Sequence, residues 1–223
     1  MSQPKVTFKY YLRFKKFGTA VWISHLDMVR TFQRIFMRAG VNIVFSEGFN
    51  PHPKMVFAVP LPLGASSECE LLEFRLEEQR DPDCILERLK AVTPVGIEIF
   101  SVELAERKFT DICFASYDIF FSDDVIPALG TVVEHFNARP DAIVLKKTKS
   151  GEKEKDIKPS VGSVEATSYG IRAVLSVDSE NFLGPELFMT AFNQSTEALG
   201  MERIAPLSLN RTAMLLQNMK TRF

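Results

Sequence analysis

From Val6 to Lys15 apolar and polar side chains alternate. Phe8, Tyr10, Leu12 and Phe14 fall on one side, and Lys9, Tyr11, Arg13 and Lys15 on the other. A period of two sends successive side chains to opposite faces of an extended chain, so the segment predicts a half-buried strand. Ser24 then stands where a helix needs an N-cap, with Asp27 three residues later near the positive end of the helix dipole. Leu26, Val29, Phe32, Ile35, Phe36 and Ala39 recur at helical spacing, and Gly40 ends the run. Strands are expected over 41–45 and 55–59, on either side of a loop rich in Gly and Pro. Another is expected over 70–76, followed by a helix from Pro82 to about Ala91 and a strand over 96–104.

The second half follows a similar order. Residues 112–121 read as a strand, and Asp123-Asp124 opens a helix running to about Asn137. Strands are expected over 142–147 and 169–177, and a helix over 185–199, with 201–209 leading into a C-terminal tail. The polar stretch 146–158 is expected to hold a mobile turn. No residue-by-residue repeat links the halves, yet the order strand, helix, strands, helix, strand recurs. The expected fold class is therefore α+β, with two ferredoxin-like α/β sandwich lobes built on mainly antiparallel sheets. Their expected extents are 1–106, which includes the Gly48-Phe-Asn-Pro-His-Pro-Lys54 loop, and 107–223.

Composition narrows the possible functions. At 223 residues the chain can bury one large core or two small ones. Nineteen Phe against one Trp favours strands with well-filled interiors. A net charge of −1 and a pI near 6.3 argue against wholesale electrostatic binding of nucleic acid, leaving only a local basic patch. Cys69, Cys84 and Cys113 are widely spaced and form no CxxC, which excludes a zinc knuckle, a thioredoxin motif and a cysteine cluster site. The N-terminus lacks an apolar signal region and no apolar run approaches a membrane span, so a cytoplasmic protein with no membrane partner is expected. No GxGxxG, Walker A or GxSxG motif occurs. Ser24, His25 and Asp27 are adjacent at one helix start, with side chains diverging, and do not make a triad.

Three constellations carry candidate chemistry. The outer face of the first strand would present Lys9, Tyr11, Arg13 and Lys15, and the first helix adds Arg30, Arg34 and Arg38 as one stripe. Cations beside a ring can neutralise phosphates and stack a base, although an amphipathic element needs a polar outer face in any case. The loop Phe45-Ser-Glu-Gly-Phe-Asn-Pro-His-Pro-Lys54 is held by Pro51 and Pro53 and turned at Gly48. It displays Phe49, Asn50, His52 and Lys54 for binding. Alternatively Glu47 and His52, with His25 and Asp27, form an acid/base pair or metal-assisted site. The spacing matches no metal motif, so neither a metal nor a cofactor is expected. The third is the run 146–158, with six lysines against three acids, read as a solvated segment or a phosphate contact.

At Tyr11-Leu-Arg-Phe14, Ser24-His-Leu-Asp27, Arg38-Ala-Gly40, Ser46-Glu-Gly-Phe-Asn-Pro-His-Pro-Lys54 and Pro60-Leu-Pro-Leu-Gly64 the chain resembles a bacterial radical-SAM-associated family. That family carries a domain of unknown function, either free-standing or C-terminal in a longer radical SAM protein. A weaker likeness continues through Asp156-Ile-Lys-Pro159 and Arg211-Thr. Family gene context near ribosomal proteins and a ribonuclease of the E/G type implies an RNA connection. The chain lacks the three-cysteine motif of the radical SAM domain, so the resemblance implies an accessory protein with a radical SAM partner. It points to Tyr11, Arg13, His25, Asp27, Glu47, Asn50, His52, Lys54, Asp156 and Lys158. The expected function is RNA binding, related to tRNA or rRNA. Lys9, Arg13, Arg30, Arg34, Lys54 and Lys158 would sit on phosphates, Tyr11 and Phe49 would stack, and Asn50 and His52 would read polar edges. The alternatives are a small RNA-processing or RNA-modifying enzyme and a docking domain for a radical SAM enzyme.

Overall fold

Alternation along the first strand sets the architecture of the N-terminal half. The computed structural model describes residues 6–148, 151–217, 219 and 221–223. It divides into two units, Met1–Phe109 and Thr110–Phe223. Among the described residues the fold is mixed α/β, with four α-helices on antiparallel sheets.

Unit 1 runs β1 (Phe8–Lys16), α1 (His25–Ala39), β2 (Met55–Phe57), β3 (Ser66–Leu76), α2 (Pro82–Lys90) and β4 (Ile97–Leu104). Its strands pair in the order β4-β1-β3-β2, every pair antiparallel. Tyr10, Leu12 and Phe14 point into a core shared with Phe32, Ile35 and Phe36 of α1 and with Ile85 and Leu89 of α2. The buried stripe of α1 is Met28, Phe32, Ile35, Phe36 and Ala39, whereas Leu26, expected in it, is exposed and Val29 is half-buried. The expected strand over 41–45 is absent. Val44 donates to the Arg75 carbonyl at 2.8 Å, and Phe45 makes only an isolated bridge to Pro53. A short, mostly apolar run read without its partner overstates regular structure.

Unit 2 runs β5 (Phe114–Phe120), α3 (Ile126–Ala138), β6 (Ile143–Thr148), β7 (Gly151–Asp156), β8 (Val161–Thr167), β9 (Gly170–Ser176), α4 (Pro185–Ala198) and β10 (Ser208–Leu215). Its main sheet is ordered β10-β5-β9-β8, again antiparallel throughout. With the β6–β7 hairpin set aside, this is the strand order of unit 1. Three elements were not expected from the sequence. The polar run after Lys146 folds back as β7, Val161–Thr167 is a strand, and part of the expected tail is β10. Polar β7 escapes a hydrophobic-period reading because its pairing with β6 supplies the order. Among the described residues no helix is long and apolar enough to cross a membrane.

Candidate nucleic-acid interface

The loop between α1 and β2 is closed at its base by its own polar groups. Ser46 N–H donates to the His52 carbonyl at 2.7 Å, and His52 N–H donates to the Ser46 hydroxyl at 2.8 Å. Lys54 N–H ties the descending side to the Val44 carbonyl at 2.7 Å. Between these anchors Gly48 takes φ 121°, a conformation that L side chains rarely adopt. Pro51 and Pro53 stiffen the return. Glu47, Phe49, Asn50, His52 and Lys54 are all exposed, and the Phe49 ring at the tip has no cover.

Beside the loop lies a groove of about 550 Å³. Gln33, Phe36 and Met37 of α1 form one wall, Asn42, Ile43 and Phe45 line the middle, and Pro51, His52 and Pro53 form the other wall. Its volume falls in the range of small-ligand clefts. Among the described residues no carboxylate lines it, but an adjoining cavity of about 480 Å³ that shares Asn42, Ile43 and Phe45 is lined by Glu77 and Glu78. Met37 and Phe45 are exposed apolar groups, 78% and 52% accessible. Arg34 and Arg38 are exposed on α1, four residues apart on one stripe, and Arg34 is close enough to Asp27 to help hold its pKa down. Arg30 is committed to Asp27 at 2.9 Å.

The first strand does not join this patch. Tyr10, Leu12 and Phe14 face α1, so Lys9, Tyr11, Arg13 and Lys15 occupy the opposite face of the sheet. The basic, aromatic face expected of β1 therefore lies on the side of the sheet opposite α1. The far face is also neutralised by neighbouring strands. Arg13 grips Glu103 through two nitrogens at 2.9 and 3.1 Å, Lys15 meets Glu98 at 3.5 Å, and Lys9 meets Glu73 at 3.8 Å. Tyr11 is 3% exposed, stacks on Phe109 at 4.8 Å and donates its hydroxyl to the Arg107 carbonyl, so no base can reach its ring.

Lys158 is occupied as well. Its ammonium donates to the Phe136 and Asn137 carbonyls at 2.5 and 3.2 Å and lies 4.6 Å over the Phe136 ring, so it caps the end of α3. Desolvation, and then the nearby Arg139, hold its pKa below the usual lysine value. Asp156 accepts from Ala142 N–H and Lys158 N–H, both at 2.9 Å, and these two bonds lower its pKa. Lys149 and Lys220 lie outside the described residues.

The acid/base quartet does not assemble. Asp27 is the capping partner of Ser24. Ser24 hydroxyl donates to its carboxylate at 2.7 Å and accepts from its N–H at 3.2 Å, and this hydroxyl, followed by Arg30, keeps the Asp27 pKa low. His25 stands edge-on to Phe57 at 5.4 Å. The groove meets α1 from Gln33 to Met37, about 12–18 Å along the helix from His25 at 1.5 Å per residue. Among the described residues no hydrogen bond or ion pair joins Glu47 to His52, and no three His, Cys, Asp or Glu gather as a metal site. Ser24→Ala should cost about 1 kcal/mol, read from the thermal unfolding of the full chain. No change in stability would show that the cap is dispensable.

Sequence reasoning missed a second cavity at the start of α1. It is small, about 20 Å³, room for roughly one water. Lys16 and Glu70, each 4% exposed, line it with His25, Phe57 and Leu61. Lys16 donates to the Val21 and Ile23 carbonyls at 3.2 and 3.4 Å. The signal was present, because Lys16 and Glu70 continue the inward phases of Phe14 and Leu72. Charged residues in a core phase mark a buried polar site.

A family model described as an uncharacterized protein conserved in bacteria (DUF2344) matches residues 9–185. That description carries no radical SAM partner. No curated protein matches the chain. Among solved structures, the chain is similar to an unknown protein from Galdieria sulphuraria, at 13% identity and a TM-score of 0.30, over 92% of this chain and 99% of that one. The matched residues take in the loop, the groove and the β6–β7 hairpin, and the chain belongs to DUF2344, the family of uncharacterized proteins conserved in bacteria.

Proposed function

We propose that the protein is a cytoplasmic RNA-binding module whose unit 1 grips a single strand in the groove between α1 and the 46–52 loop. One observation carries the reading. Exposed Phe45 lines the groove, exposed Phe49 tips the loop that forms one wall, and Arg34 and Arg38 are exposed on α1, the helix that forms the other wall. Bases stack on exposed rings, while guanidinium groups hold phosphates and can also stack. Asn50 and His52 supply polar edges beside the rings, and Lys54 adds a third cation. The strand orders β4-β1-β3-β2 and β10-β5-β9-β8 support reading both units as ferredoxin-like, the second with an inserted hairpin. Presentation of the bound strand to a radical SAM partner is the finer form of this proposal.

The test is fluorescence anisotropy with a labelled 12-nucleotide single-stranded RNA. Binding should weaken as salt rises, and the combined Arg34→Ala/Arg38→Ala change should flatten the slope of log K on log salt by about 1.4, at roughly 0.7 per lost contact. Phe45→Ala and Phe49→Ala should each weaken binding by about 5- to 150-fold, the equivalent of 1–3 kcal/mol per stacked base. Lys15→Ala, on the opposite sheet face, serves as the control and should bind normally. Binding unchanged by the arginine and phenylalanine substitutions would end the proposal. Selective capture of a protein partner with no affinity for RNA would favour the docking alternative.

A further inference from the structure

The β7 strand of the β6–β7 hairpin sorts its charges by face. Residues directly opposite in an antiparallel pair share a face, and the register pairs Lys146 with Lys153 and Val144 with Lys155. Lys146, Lys153 and Lys155 therefore share one side. Glu154, opposite Leu145, and Asp156, opposite Ile143, fall on the other, as does Glu152 by alternation. The cause lies in the sequence, because Glu152-Lys-Glu-Lys-Asp156 alternates in sign. In a helix that pattern would intermix the charges, whereas a strand places the lysines and the acids of β7 on opposite faces. Lysines placed directly opposite repel one another, and among the described residues none of these three has a carboxylate partner. The register crosses the signs at Lys147 and Glu152 but sets Lys146 against Lys153.

The arm is also held in place. Asp156 accepts from Ala142 and Lys158 N–H across its base, Ile157 N–H donates to the Ala142 carbonyl at 3.0 Å, and Gln194 of α4 donates to the Ile143 carbonyl at 2.8 Å. Val144, on the lysine side, is 2% exposed and seats that face at its root. Lys146 and Lys153 are exposed beyond it.

We propose that the lysine face of this hairpin is a second polyanion site, taking the phosphate backbone of an RNA without reading its bases. Ammonium groups about one strand spacing apart suit successive phosphates, and the face offers no exposed ring for stacking. The inference rests on the RNA reading above for the identity of the polymer. Its evidence is independent, since it stands on the register of unit 2 alone.

The experiment compares the full chain with Lys146→Ala/Lys153→Ala/Lys155→Ala and with the matching triple Lys→Arg variant. Two probes are used, the 12-nucleotide RNA extended to 30 nucleotides and long-chain inorganic polyphosphate, which carries phosphates without bases. The alanine triple should lose about tenfold or more in affinity for both probes at low salt. Its salt slope on the RNA should fall by about 2. The arginine triple should bind both normally, which separates lost charge from a damaged fold. Unchanged binding of both probes by the alanine triple would overturn the hairpin site, as would failure of the wild-type chain to bind either. If Arg34→Ala/Arg38→Ala and Phe49→Ala bind RNA normally while the hairpin triple is impaired, the groove reading fails and the hairpin site stands.

Discussion

Replacing Phe74 with Ala is expected to lower the stability of unit 1 by about 3–5 kcal/mol. Phe74 is fully buried on β3, stacked on Tyr10 at 5.4 Å and tilted against Phe36 of α1 at 4.8 Å. It is also the register partner of both Tyr10 on β1 and Met55 on β2, so its ring sits at the centre of the sheet. Truncation removes the transfer free energy of the ring and leaves a cavity that Tyr10 and Phe36 cannot both close. Denaturant unfolding of the variant should show a lowered midpoint with little change in slope, since the exposed surface is nearly the same. Val56→Ala, on an exposed side chain of β2, should stay within about 0.5 kcal/mol. A loss below 1 kcal/mol at Phe74 would mean that the core of unit 1 is not packed around this ring.

Gly170→Ala should be comparably severe for unit 2, at about 3–5 kcal/mol, combining overpacking with a strained φ. Gly170 opens β9 at φ 151°, opposite Phe120. A Cβ there would stand 2.0 Å from the Ile119 carbonyl oxygen and 3.1 Å from the Phe121 ring. The obstructing atom is backbone, so no rotamer change relieves it, and the β5–β9 ladder must shift. Hydrogen exchange of the β5 and β9 amides measures the effect, with faster exchange expected across that pair. Protection equal to the wild type would contradict the close approach. Gly48→Ala is the informative contrast, since a Cβ at Gly48 meets nothing within 4 Å and only its positive φ would resist.

Local patterns were legible where one element could be judged alone. The alternation of β1, the stripe of α1 with its Ser24 cap and Gly40 stop, and the anchoring prolines of the loop follow from spacing and from the conformational limits of single residues. Lys16 and Glu70 were legible too, as charges in an inward phase. Phe49, Asn50 and His52 could be placed on an exposed loop because two prolines and a glycine leave that segment few conformations.

The sequence by itself determined which side of β1 is apolar and where the chain must turn, because these depend on bonds and torsions within a few residues. Tertiary structure alone decided what each face meets. Arg13 finds Glu103 across 90 positions, Tyr11 is covered by Phe109, and Lys158 closes α3 21 positions before it. Strand register and helix packing set those distances, and the pairing free energy of a cation depends on the neighbour that folding delivers to it.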